Sequence, residues 1–340
     1  FFTNSGSEAN DTNIRLVRRY WDLKDRPNKR IIISRQNAYH GSTIASASLG
    51  GFGFVHQQFE TLPYVEHIVD PNWFVNGGDL SPEEFGLQAA RALEKKIDEI
   101  GEDNIAAFIA EPIQGAGGVI VPPDSYWPEV SRILKERDIL FISDEVICGF
   151  GRTGELFGSQ TLGTEPDLIT FAKAVTNGFQ PLGGVLVSDK IATVITAKGG
   201  EFAHGFTYSG HPIACAAAMA TLDIMQSENI FQQVRDQAAP YMQKRWAELA
   251  EHPIVGHTRG LGMFGSMELV RNKQTRERLA PDEVSGGICR DISLANGLVM
   301  RAVGDSMIIS PPLICSEGEI DMLIERATQA LDKTAEYFSV

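Results

Sequence analysis

Short apolar runs alternate with stretches of helical spacing from residue 1 to about 222, and no other feature of the chain constrains its fold as tightly. Arg30–Ile33, Ile105–Ala110, Ile139–Ile142, Leu168–Phe171 and Gly184–Val187 have the length and composition of strands. Ala89–Ile100 and Trp127–Asp138 have helical spacing between them. This alternation is the signature of a mainly parallel sheet covered by helices. Residues 60–85 are rich in Pro, Asn and Gly and predict a long loop, of the kind usually kept for function. A long helix from Ile213 to about Leu249 is expected to carry the chain out of this first domain. Beyond it, strands over 262–268, 298–301 and 307–309 and a closing helix, Glu317–Phe338, predict a smaller α+β unit. The expected fold class is α/β, with a large domain over 1–222 and a small domain over 223–340. A chain of 340 residues is long enough for both.

Charge narrows the partners. Thirty basic against 44 acidic residues leave a formal charge of −14, without the basic patches that nucleic acid or an anionic membrane requires. Cysteines 148, 215, 289 and 315 show neither a CxxC pair nor metal-ligand spacing, so unpaired buried thiols in a reducing, cytoplasmic setting are expected. No apolar stretch reaches membrane-spanning length. The chain opens Phe1-Phe2-Thr3-Asn4 without a methionine, inside what reads as a site segment, and its true N-terminus is expected to lie further upstream.

The chemistry gathers around two residues. Lys173 ends the apolar run Leu168-Ile-Thr-Phe-Ala172, a setting in which a partly desolvated amine is readier to attack a carbonyl. Asp144 ends the run Ile139-Leu-Phe-Ile-Ser143, and in open α/β sheets strand carboxyl ends face the ligand crevice. A Schiff-base lysine and an aspartate for a pyridinium nitrogen are what pyridoxal 5'-phosphate demands of a protein. Around them, Ser5-Gly6-Ser7-Glu8 reads as a capped helix start, with Ser5 or Ser7 as cap and Glu8 closing a capping box, and as a phosphate site. Tyr39-His40-Gly41 offers an aromatic for a planar ligand, and Glu111-Pro-Ile-Gln114 an acid and an amide at the same sheet edge. Gly149-Phe-Gly-Arg-Thr-Gly154 matches a dinucleotide fingerprint but follows an Asp-Glu pair and opens no helix, so it is read as a turn. Residues 202–212, with Thr207 and two histidines, suggest another anion-binding turn and no metal. Arg301, amid apolar residues on an expected strand, is either half of a buried ion pair or a carboxylate-binding fork.

Taken in order, these motifs together with Asp144-Glu-Val146 and Phe206-Thr-Tyr-Ser-Gly210 resemble the class III pyridoxal-phosphate aminotransferases, in the ω-amine:pyruvate and polyamine:pyruvate group. The resemblance runs over essentially the whole chain and implies a fold-type I dimer with its active site at the subunit interface. It also implies roles. Lys173 would carry the cofactor as a Schiff base and then move the substrate's proton. Asp144 would pair the pyridine nitrogen, and Tyr39 and Val146 would sandwich the ring. Gly6 and Ser7 would hold the phosphate, with Thr207 of a neighbouring subunit, while His40 and Glu111 would complete the cofactor site. Arg301 would bind a keto-acid carboxylate and swing aside for an amine that lacks one. The expected reaction is amino transfer from an amine or ω-amino donor, putrescine favoured, to pyruvate or a similar keto acid. The rivals are an aminomutase or decarboxylase on the same fold and cofactor, and an inactive fragment with no catalytic role.

Overall fold

The computed structural model describes residues 1–280 and 283–340. They divide into two compact units. The first comprises Phe1–Gln114, Pro122–Phe150 and Phe157–Glu228, and the second Gly115–Val121, Gly151–Leu156 and Asn229–Val340.

Seven strands form the sheet of the first unit: β1 Phe2–Thr3, β2 Ile31–Arg35, β3 Val65–Ile68, β4 Ile105–Ala110, β5 Leu140–Asp144, β6 Leu168–Phe171 and β7 Gly183–Val187. They lie in the order β1-β7-β6-β5-β4-β2-β3. From β3 across to β6 every pair is parallel, whereas β7 and β1 add an antiparallel edge. The apolar runs need cover on both faces because successive side chains point to opposite sides. Ile33, Phe108 and Phe141 pack with residues of the helices Pro82–Ile100 and Tyr126–Glu136. Ile32, Ala107, Ile109, Leu140 and Ile142 face the other way, toward Ala9, Val17 and Trp21 of the helix Gly6–Leu23.

Residues 60–85 are not the long loop that composition predicts. They hold β3, a helical turn Trp73–Asn76, and the start of the Pro82–Ile100 helix. Ser81 and Glu84 form a full capping box there, with proline at the first helical position, where its missing N–H costs nothing. The expected helix over 213–249 is also broken. It runs Pro212–Ser227 and gives way at Asn229, whose φ is +52°. Helix resumes at Ile230–Gln233 and widens to a π turn over Val234–Ala238, before Ala239–Glu248. Pro240 lies just beyond that turn and cannot donate the next backbone bond.

The second unit carries an antiparallel sheet of β8 Val255–Arg259, β9 Gly265–Asn272, β10 Glu277–Arg278, β11 Arg301–Val303 and β12 Ser306–Ile309. The helices Ser285–Ala295 and Glu317–Tyr337 belong to the same unit. The division between units falls after Glu228 rather than after residue 222, and two short segments cross it. A buried ion pair explains the first crossing. Arg259 pairs with Glu268 at 2.6 Å and donates to the carbonyls of Gly118 and Val119 at 2.7 and 2.8 Å, binding 115–121 into this unit. The second segment is held by exchange between Arg152 and Met263, at 2.8 and 3.1 Å, and by the Glu155–Arg235 pair at 2.9 Å.

All four cysteines are free, with Cys148 and Cys289 buried and Cys215 and Cys315 half-buried. Among the described residues no helix is long and apolar enough to cross a membrane.

Candidate active site

Parallel strands deliver their carboxyl ends to one edge of a sheet, and the loops leaving β2, β4, β5 and β6 surround a cavity of about 400 Å³. Gly6, Ser7, Tyr39, His40, Glu111, Asp144, Val146 and Lys173 all line it. Thr207 does not; it sits exposed in the turn before the Pro212–Ser227 helix. Arg301 belongs to the second unit, where it opens β11, and it is exposed. No ion pair of Arg301 is found among the described residues.

Asp144 closes β5 and is 3% exposed. Its Oδ2 accepts from Asn10 Nδ2 at 2.8 Å and from His40 Nδ1, also at 2.8 Å. Among the described residues its Oδ1 accepts the backbone N–H of Val146 alone, at 3.2 Å. Glu145, the next residue, points elsewhere: its carboxylate accepts from the amides of Gly158 and Ser159 at 2.8 and 2.7 Å. Burial raises its pKa, and those two amides oppose the rise. Of the adjacent acids, one therefore faces the cavity and the other pins a turn. Glu111 is buried as well, and burial raises its pKa against the pull of His40; its Oε1 accepts the Tyr39 amide at 3.1 Å.

Lys173 departs from expectation. The apolar run does bury Phe171 and Ala172, but the chain turns at Lys173, where φ is +49°, into a 3₁₀ turn over Lys173–Thr176. In the single chain the residue is exposed, and it lines the cavity. A left-handed lysine is an uncommon backbone state, and such strain gathers at functional positions.

The helix Gly6–Leu23 begins at the cavity. Ser5 caps it by accepting the Glu8 N–H at 3.2 Å. Glu8 reaches one residue further back than a capping box requires, accepting from Asn4 N at 2.7 Å. Gly6 is needed because a Cβ there would lie 2.9 Å from Val146 Cγ2. Gly41 is needed more strongly, with φ +139° and Ser7 Oγ only 2.5 Å from where its Cβ would stand. Gly41→Ala combines backbone strain with overpacking and is expected to cost about 2–4 kcal/mol. A chemical-denaturation series on the apoprotein measures this, and an unchanged midpoint would contradict it.

The two histidines of the 202–212 segment have local duties. His204 Nε2 meets Thr12 Oγ1 at 2.8 Å, and that hydroxyl already donates to Glu8 O, so Nε2 is the donor. Arg15 then donates to Nδ1 at 2.8 Å, and burial followed by Arg15 lowers the imidazole's pKa. His211 Nδ1 accepts from Ile213 N at 3.3 Å. Gly149–Gly154 is a succession of left-handed residues, Phe150, Gly151 and Gly154, and forms a turn. Sequence reasoning missed Asn10, Asn13 and Thr170, which stand behind Asp144. Their one signal was polarity at positions of a helix and a strand that otherwise face the core.

A family model described as Aminotransferase class-III matches residues 1–331. A putrescine–pyruvate aminotransferase of Pseudomonas aeruginosa is 58% identical over 98% of this chain and 73% of its own length. A chloroplastic gamma-aminobutyrate transaminase of Solanum lycopersicum is 44% identical over 98% of this chain, which spans 65% of that protein. Among solved structures, an ω-transaminase of Pseudomonas jessenii in complex with PMP superposes with a TM-score of 0.95 at 39% identity, covering 100% of this chain and 76% of that one. An (S)-enantioselective ω-transaminase of Thermomicrobium roseum gives 0.92 at 42% identity, covering 98% and 74%.

Proposed function

The chain belongs to the class III aminotransferases, pyridoxal-phosphate-dependent transaminases, and from that premise we propose that it moves an amino group from a diamine such as putrescine to pyruvate or a similar keto acid. The observation that carries the donor assignment is the 58% identity to a putrescine–pyruvate aminotransferase. The 44% relative that acts on gamma-aminobutyrate makes an ω-amino acid the competing donor.

The residues present fit the cofactor. A carboxylate, an amine and an aromatic ring meet in one cavity at a helix N-terminus, and Gly6 leaves room where a Cβ would collide with Val146. Bound there, pyridoxal phosphate supplies an electron-poor ring that absorbs the charge left when a proton leaves the amine carbon. In this reading Lys173 holds the cofactor covalently and moves that proton. Asp144 holds a proton on the ring nitrogen, and Tyr39 and Val146 flank the ring. The first amides of the Gly6–Leu23 helix, with Ser7, receive the phosphate, since a helix N-terminus presents free N–H groups to an anion. His40 and Glu111 brace Asp144 and Tyr39 through the bonds described above.

A second copy of the chain would complete the site by bringing Thr207. Its support is the helix Pro212–Ser227, which follows Thr207 and leaves Ile213, Met219 and Ile224 each more than half exposed. Soluble chains rarely leave such a face uncovered. The free thiols fit the cytoplasmic setting expected from the sequence.

Full-length protein assayed with putrescine, longer polyamines, gamma-aminobutyrate and aryl amines against pyruvate tests the reaction. Putrescine is expected to give the highest kcat/KM, and no turnover with any donor would overturn the reading. Arg301 is assigned the keto-acid carboxylate. Losing a hydrogen bond to a charged group costs about 1.5–3 kcal/mol, or roughly ten- to hundred-fold in affinity. Arg301→Ala should therefore weaken the pyruvate half-reaction by that factor and spare the half-reaction with a simple monoamine. Equal losses in single-turnover measurements of both halves would make Arg301 a structural residue.

A further inference from the structure

We propose that Asn10 is a positioning residue for Asp144, deciding which of its carboxylate oxygens is left to meet the cofactor's ring nitrogen. The proposal rests on the cofactor reading above and extends it to a residue one layer behind the cavity wall.

Asn10, Asn13 and Thr170 are all fully buried, on two different elements. Asn10 and Asn13 stand one helical turn apart, and Thr170 on β6 is the direct register partner of Asp144 on β5. Thr170 Oγ1 accepts from Asn13 Nδ2 at 2.6 Å and donates to Asn10 Oδ1 at 2.8 Å. Asn13 Nδ2 also lies 3.1 Å from Asn10 Oδ1. Two donors on the carbonyl end leave the Asn10 amide one orientation, with its NH₂ group toward β5. Both hydrogens are then used, on His40 O at 2.7 Å and Asp144 Oδ2 at 2.8 Å.

The consequence is an asymmetric carboxylate. Oδ2 takes two donors, Asn10 and His40, while Oδ1 takes one longer bond from Val146 N. Oδ1 therefore keeps a lone pair for a partner in the cavity, and the carboxylate plane is set by three elements rather than by its own rotamer. Burying three uncharged polar side chains under one acid is costly unless they orient it, since apolar residues of the same size would pack with no desolvation penalty.

The test uses full-length holoenzyme and reads cofactor affinity, the pH dependence of the bound cofactor's absorption spectrum, and kcat with KM. Asn10→Leu keeps the volume and removes the amide; Thr170→Val removes only the hydroxyl that orients it. Asn10→Leu is expected to weaken pyridoxal phosphate binding about ten- to hundred-fold, as for a lost bond to a charged group. It should lower kcat by a similar factor, move the spectral titration, and change KM for pyruvate less than about threefold. Thr170→Val should shift the same quantities in the same direction by a smaller factor. In an Asp144→Asn background Asn10→Leu should add little, because both changes act through one carboxylate. Wild-type affinity and spectrum in Asn10→Leu, or an undiminished effect in the Asp144→Asn background, would overturn the proposal. If the wild-type protein binds cofactor but turns over no donor, the transaminase reading falls, while the affinity cycle still decides the role of Asn10.

Discussion

Lys173→Ala is expected to lower turnover by at least about 10²–10⁴-fold, the range that a positioned acid–base group supplies, and further because covalent attachment of the cofactor is lost as well. Folding should survive. The side chain is exposed, so truncation leaves no core cavity, and alanine at φ +49° is no more strained than lysine there. The apoprotein should melt close to wild type, and the variant should still take up pyridoxal phosphate noncovalently through the helix N-terminus and Asp144. Borohydride reduction of wild type followed by peptide mapping gives the independent check. Label must remain on the peptide containing Lys173, and label on another lysine would remove the assignment.

Asp144→Asn should cost about 10²–10³-fold in kcat, the scale of losing one preorganised electrostatic partner. The geometry says why the fold should tolerate the change and the chemistry should not. Asn10 Nδ2 and His40 Nδ1 both donate toward Oδ2, so the new amide must place its carbonyl oxygen there. Its NH₂ group is thereby forced into the position of Oδ1, where it loses only the long bond from Val146 N at 3.2 Å. A donor then faces a ring nitrogen that must itself carry a proton, and the two N–H groups oppose each other. Reversed orientation would set the NH₂ group against both donors instead. Near-wild-type turnover with unchanged cofactor affinity would show that Asp144 is structural.

Much of the large unit was legible because its signals are local. Apolar runs of strand length marked β2 and β4 to β7, and helical spacing marked the helices that cover them. Lys173 and Asp144 stand where apolar runs stop, a position visible in the sequence itself. β1, β3, β8 and β10 escaped because each is either very short or only partly apolar, and their strand character comes from the neighbours they pair with. The antiparallel direction of β7 has no local signature, since direction is a property of a pair.

By itself, then, the sequence determined the class of fold, the placement of Lys173 and Asp144 where strands end, and the caps and glycines that shape the first helix and its approach to the cavity. These depend on periodicity, side-chain chemistry and backbone freedom within a few residues. Tertiary structure alone decided the rest. It set Lys173 in a left-handed turn at the cavity, broke the expected long helix at Asn229, and drew 115–121 and 151–156 into the second unit through Arg259 and Arg152. It also assembled the amide network behind Asp144 from residues 134 and 160 positions apart along the chain. Hydrogen bonds between such distant groups exist only once helix and sheet have packed, because no local preference brings their ends together.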